Sequence, residues 1–153
     1  MNGGLSNVKQ KDMDTPAALQ IRLTTDTAEV APARLAIEAF CAQAGFEDVA
    51  VGEVGLCVNE AIANIIRHAY RDSKLSIDQQ KIELCAEFDC SSGLLRISLR
   101  DFGTGIAPGA LPGEKIDPLK PGGLGLVCLG RLMDKVSFSP QNPGMLLELE
   151  RKR

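Results

Sequence analysis

Histidine occurs once in this sequence and no two cysteines form a CxxC pair, so a structural or catalytic metal cluster is not expected. The five cysteines, at 41, 57, 85, 90 and 128, are odd in number, which argues against a disulfide framework. They read as the reduced thiols of a cytoplasmic protein, with Cys41, Cys57 and Cys128 in or near a core. No signal-like apolar segment opens the chain, and charge interrupts the apolar stretches before the roughly 20 residues that a membrane span needs, so no membrane is expected. An excess of one charge is lacking too. Seventeen basic against 20 acidic side chains leave a net charge of −3, which provides no general attraction for nucleic acid. Internal repeats are absent.

What remains is the composition of a globular domain. With 153 residues, 44% hydrophobic and 24% charged, the chain has the usual size of one domain and is neither polar enough for disorder nor fibrous. Residues 1–17 have few apolar side chains and read as a flexible tail, which leaves 18–153 as the folded domain. The fifteen glycines concentrate between Gly103 and Gly109 and between Gly122 and Gly130.

Periodicity divides the domain into elements. Apolar residues alternate over Leu19–Leu23, Lys81–Cys90, Leu95–Asp101, Lys135–Ser139 and Met145–Glu150, which predicts five strands. The second and third are joined by a turn at Ser91-Ser92-Gly93, the last two by Pro140–Gly144. Leu35, Ile37, Ala39, Phe40 and Ala44 predict a helix that starts near Pro32 and stops at Gly45. Val54, Val58, Ile62, Ile65, Ile66 and Ala69 predict a longer one over about 49–70, and Leu124, Val127, Cys128 and Leu132 a third. The stretch from Phe102 to Gly122 is rich in glycine and proline and without period, a loop longer than compact domains usually carry. These elements predict an α+β two-layer sandwich, a mixed and largely antiparallel sheet with helices on one face.

Three short patterns carry the chemistry. On the long helix Glu60, Asn64 and His68 are four apart, so they share one side: a carboxylate that can act as a base, an amide oxygen suited to Mg²⁺, and an imidazole. Alone, such a trio is also what a solvated helix face looks like. Asp101-Phe102-Gly103-Thr104-Gly105-Ile106 follows a strand; the aspartate can accept from an exocyclic amine such as that of adenine, and the glycines let backbone approach a ligand. It is not the dinucleotide fingerprint, because Pro108 occupies the place of the third glycine, and the P-loop pattern is missing. Gly122-Gly123-Leu124-Gly125-Leu126 opens a helix, where free N–H groups and the positive dipole end favour phosphate. Each pattern has an ordinary structural alternative; their occurrence together in this order does not.

In that order the three patterns resemble the N, G1 and G2 boxes of the GHKL (Bergerat-fold) ATPases. The short chain and the run from Asn59 to Tyr70, together with Leu132-Met133-Asp134-Lys135-Val136, resemble the bacterial anti-sigma-factor serine kinases. The resemblance covers roughly 19–150. It implies that Glu60 is the general base for the attacking hydroxyl, that Asn64 ligates Mg²⁺, and that Asp101 holds the adenine amine. It implies further that Gly103, Gly105 and Ile106 shape the adenine and ribose wall, and that 107–121 form a lid carrying Lys115 and Lys120. Gly122, Gly123, Leu124, Gly125 and Leu126 would cradle the phosphates, with Arg67 and His68 nearby. The chain departs from the family at Gly144-Met145-Leu146-Leu147-Glu148, where relatives often carry a threonine that helps hold adenine through water. The absence of a phosphoacceptor hairpin and of a transducer domain disfavours histidine-kinase and gyrase-like roles. The function implied is an ATP- and Mg²⁺-dependent protein-serine kinase that binds a sigma factor and phosphorylates its antagonist, working as a homodimer. The alternative is a nucleotide-gated binding module without phosphotransfer.

Overall fold

The computed structural model describes residues 18–104 and 123–153. Five strands form one sheet: β1 (Ala18–Thr24), β2 (Lys81–Asp89), β3 (Leu94–Asp101), β4 (Lys135–Pro140) and β5 (Met145–Lys152). Their spatial order is β1-β2-β3-β5-β4 and all four pairings are antiparallel. Three helices, α1 (Val30–Gln43), α2 (Asp48–Asn64) and α3 (Gly123–Leu132), make the second layer. The expected two-layer sandwich is therefore what forms, with no parallel pair in the described sheet.

Register explains the core. In an antiparallel sheet directly opposed residues share a face, so Ile82, Leu84, Ala86 and Phe88 of β2 lie beside Asp101, Leu99, Ile97 and Leu95 of β3. Leu147 and Leu149 of β5 continue two of these rows. All are buried under Ile37 and Phe40 of α1, Val54, Val58 and Ile62 of α2, and Leu129 of α3. Each such aliphatic side chain contributes about 1.5–3 kcal/mol by leaving water. The opposite face is polar and carries the pairs Arg22–Glu83 at 3.9 Å and Arg96–Glu150 at 3.5 Å.

The helix over 48–69 is apolar for longer than charge placement suggested: its 22 residues have the length and composition of a membrane span. Here that apolarity serves the core, since Val54, Cys57, Val58, Ala61, Ile62 and Ile65 are all buried. Two arginines close the layers. Arg151 of β5 pairs with Glu53 of α2 at 2.6 Å and donates to the Leu132 carbonyl at the end of α3 at 2.7 Å. Arg153 donates to the Ala44 carbonyl at 2.8 Å, beside Gly45, whose φ of +86° ends α1. All five cysteines are free; Cys41 and Cys57 are buried, and burial pushes their thiols up to about 12 and about 11.

Candidate nucleotide site

The long helix does not stay α-helical to its end. After Asn64 it widens into a π-helical turn, Ile65–Ala69, the kind of local rewinding that recurs at functional sites. Ile65 and Ala69 remain buried, while Glu60 and Asn64 are half-buried and Arg67 and His68 exposed. None of Glu60, Asn64, Arg67 and His68 is fully buried. Arg67 folds back along the helix: its Nε donates to the Ala63 carbonyl at 3.3 Å and its Nη2 lies 3.9 Å from Glu60 Oε2. Partial desolvation of its ring, helped by the guanidinium groups of Arg67 and Arg71, holds the His68 imidazole below its ordinary value, so it is neutral at pH 7.

The start of α3 comes to the same place. A Cβ on Gly125 would lie 2.6 Å from Glu60 Oε2 and 3.3 Å from Glu60 Cβ, so the first turn of α3 rests directly on the Glu60 side chain. The N–H groups of that turn have no partner within their own helix. Gly123, Leu124, Gly125 and Leu126 all belong to α3, whose start meets the Glu60 side chain at Gly125.

The third component is the turn after β3. Strand alternation puts Asp101 in phase with Leu95, Ile97 and Leu99, so it is the polar end of an apolar row. It is 4% exposed. Its Oδ1 accepts the Gly103 N–H at 3.1 Å, and the Met145 N–H, directly across the β3–β5 pairing, also faces the carboxylate. Burial nevertheless outweighs these bonds and the nearby Arg100 charge and pushes the Asp101 carboxyl above its ordinary value. Such a group, with acceptor capacity left over in a dry setting, suits a neutral donor such as an exocyclic amine.

Gly103 has a role that the sequence did not disclose. A Cβ there would collide with the Ala69 carbonyl, so the glycine lets the G1 turn close on the end of the long helix. The Thr104 N–H donates to that same carbonyl at 3.0 Å. Tyr70 is a further participant, present in the motif run without an assigned part: its hydroxyl accepts the Phe102 N–H at 2.9 Å and donates to the Lys81 carbonyl at 2.5 Å. Gly105, Ile106, Gly122 and the stretch 107–121 with Lys115 and Lys120 lie outside the described residues, as does the tail 1–17.

The donors present fit a magnesium nucleotide. No cluster of three His, Cys, Asp or Glu occurs among the described residues. The Asn64 amide oxygen is a hard donor of the kind Mg²⁺ uses when most of its shell comes from water and phosphate.

The sheet order, the helical layer and the three boxes define a GHKL ATPase domain. The chain belongs to the histidine kinase-like ATPase domain family, which it matches over residues 23–150. It is 27% identical over 129 residues to the serine-protein kinase RsbW of Listeria innocua, 78% of each chain being covered. Against the RsbW of Oceanobacillus iheyensis it is 25% identical over 151 residues, covering 94% of this chain and 87% of that one. Its fold is similar to the RsbU and RsbW domains of Rv1364c from Mycobacterium tuberculosis, with a TM-score of 0.66 at 16% identity. That match covers 88% of this chain and 32% of the other, about a third of its length. It is also similar to a chain of the SiaB–SiaC complex from Pseudomonas aeruginosa, with a TM-score of 0.61 at 12% identity and 87% of each chain covered.

Proposed function

We propose that this chain is an ATP-dependent protein-serine kinase that also acts as an anti-sigma factor, phosphorylating a serine of the sigma factor's antagonist. The observation that carries the reading is the Glu60 carboxylate, held one helical turn from Asn64 and in contact with the start of α3 at Gly125. In this reading Asp101 accepts from the adenine amine, and the N–H groups of Gly123, Leu124, Gly125 and Leu126 receive the phosphates. Asn64 would hold Mg²⁺, which would supply positive charge to offset the charge that develops on the phosphates. Glu60 accepts the proton of the antagonist's serine hydroxyl as its oxygen bonds to the γ-phosphorus and the bond to the ADP leaving oxygen breaks. In this reading Arg67, whose Nη2 lies 3.9 Å from Glu60 Oε2, and the neutral His68 further along the helix contact phosphate oxygens. The names of the RsbW relatives support the kinase assignment.

The partners follow from the same reading. Adding about −1.5 to −2 charges to the antagonist's serine turns a complementary contact into a repulsive one, so phosphorylation releases the antagonist and frees the kinase for its sigma factor. Leu35 on α1 and Val49 and Leu56 on α2 are exposed apolar side chains of the helical layer. We place protein partners, including the second subunit of a homodimer, on that layer.

The test is a pair of measurements. Magnesium ATP at a hundredfold excess over its Kd stabilises a specific binder by about 2.7 kcal/mol, which raises the Tm clearly. Glu60→Gln should keep that rise while losing transfer of labelled phosphate to an RsbV-type antagonist. No thermal shift at millimolar ATP would overturn the nucleotide reading, and transfer at the wild-type rate by Glu60→Gln would overturn the base assignment.

A further inference from the structure

We propose that Tyr70 is a positioning residue for base selectivity: its hydroxyl holds the Asp101-Phe102-Gly103 turn in the orientation that lets Asp101 distinguish an amino-purine from an oxo-purine. The inference rests on the nucleotide reading above and adds to it a residue that touches neither base nor phosphate.

The turn after β3 is unusually tightly held. Its three successive N–H groups are all engaged: Phe102 with Tyr70 Oη at 2.9 Å, Gly103 with Asp101 Oδ1 at 3.1 Å, and Thr104 with the Ala69 carbonyl at 3.0 Å. Two of these three acceptors belong to consecutive residues at the end of the long helix. The third is Asp101 itself, so the direction of its remaining lone pairs depends on where Gly103 sits. Gly103 in turn has only the room that the Ala69 carbonyl leaves it.

Tyr70 fixes this arrangement in one sense only. Its ring is 4% exposed. Its single hydroxyl proton goes to the Lys81 carbonyl at 2.5 Å, so the oxygen must present a lone pair to the Phe102 N–H. One side chain thereby joins the start of β2, the end of β3 and the end of the helix that carries Glu60 and Asn64. A phenylalanine would fill the same space but leave the part-buried Phe102 N–H and Lys81 carbonyl without that partner, and the turn would relax towards whichever new bonds it can find. An adenine-specific acceptor suffers most, because rejection of the wrong base depends on a fixed acceptor facing it.

The experiment titrates Mg·ATP and Mg·ITP, the latter carrying an oxo group in place of the amine, against the full chain. It compares wild type, Asp101→Asn, Tyr70→Phe and Ile37→Ala, the last a core substitution on α1 where the wild-type residue is 0% exposed. The wild type should prefer ATP and Asp101→Asn should lose that preference. Tyr70→Phe should lower the ATP-over-ITP ratio about tenfold, the worth of one hydrogen bond. Ile37→Ala, less stable but untouched at the turn, should keep the wild-type ratio. A wild-type ratio in Tyr70→Phe overturns the proposal and leaves the nucleotide reading intact; an equal loss in Ile37→Ala reduces Tyr70 to a stability role and also overturns it. A wild type that binds neither nucleotide overturns both. Amide hydrogen exchange on the wild type needs no variant: the Phe102 N–H should be protected in the free protein, and exchange at the rate of an open turn overturns the proposal as well.

Because Tyr70 is the single tyrosine of the chain, 3-fluorotyrosine supplied during expression enters there alone and keeps the hydroxyl. That protein should retain an ATP preference that Tyr70→Phe lacks, and its failure to do so would count against the hydroxyl.

Discussion

Gly103→Ala tests the closest approach in the site. The added methyl would sit 2.5 Å from the Ala69 carbonyl carbon and 3.0 Å from Ala69 Cβ, and closer still to the carbonyl oxygen. The obstacle is backbone at the end of a buried helix, so relief requires that the β3 turn and the long helix separate. Forced insertion of a methyl into a packed site costs about 1–3 kcal/mol. Separation also strains the Thr104–Ala69 and Phe102–Tyr70 bonds, each worth about 1 kcal/mol net. Against this, loss of glycine's freedom in the unfolded chain returns about 0.4–1 kcal/mol. The balance is a destabilisation of about 2–4 kcal/mol, which in a domain of this size lowers the Tm by roughly 5–15 °C. Gly52→Ala is the control: it lies on α2 with open space around its Cβ position, and alanine there should be neutral or stabilising by up to about 1 kcal/mol. Thermal unfolding of the two variants beside wild type decides the matter. A Gly103→Ala protein that melts within 2 °C of wild type would refute the packing argument.

Gly125→Ala should behave differently, because its methyl meets the end of the flexible Glu60 side chain and not backbone. The Tm should change by only a few degrees while phosphotransfer falls at least tenfold; unchanged transfer would remove Gly125 from the reaction. For Asp101, burial raises the folded pKa, so the stability linked to this carboxyl is fully present below its ordinary value of 3.8 and is lost as pH rises through the folded value. Urea unfolding should therefore show Asp101→Asn gaining on wild type between pH 4 and pH 7 in the absence of nucleotide, and a gap that is constant over that range would contradict the sign. Ile97→Ala empties a 0%-exposed position of β3 between Ala86 and Leu149 and should cost about 2–5 kcal/mol in the same assay.

The strands were legible because apolar and polar residues alternate along them, and the observed bounds differ from the expected ones by no more than two residues. Asp101 was legible from its motif, and its parity with Leu95, Ile97 and Leu99 accounts for its burial. The central position of β5 was not. Its hairpin with β4 is local, but its pairing with β3 spans a long stretch of sequence and depends on which apolar rows match across the sheet. The π-helical turn at Ile65–Ala69 leaves no mark in a sequence that is regular at threes and fours. The glycines were read as openings for a ligand. Gly103 and Gly125 also bring parts of the protein against each other, one against the Ala69 carbonyl and one against the Glu60 side chain. Composition marks such places as close approaches without saying what approaches.

The strand order also sets a timetable. The ribosome makes β1, β2 and β3 in an order that pairs neighbour with neighbour, but the second partner of β3 is β5, which begins more than forty residues later. At about 5–20 residues per second, the N–H and C=O groups along that side of β3 wait several seconds for their match. Throughout that interval the strand is an open edge able to accept any extended segment nearby. During that interval the nascent protein is open to mispairing at the strand that ends in Asp101, and slower translation beyond it lengthens the exposure.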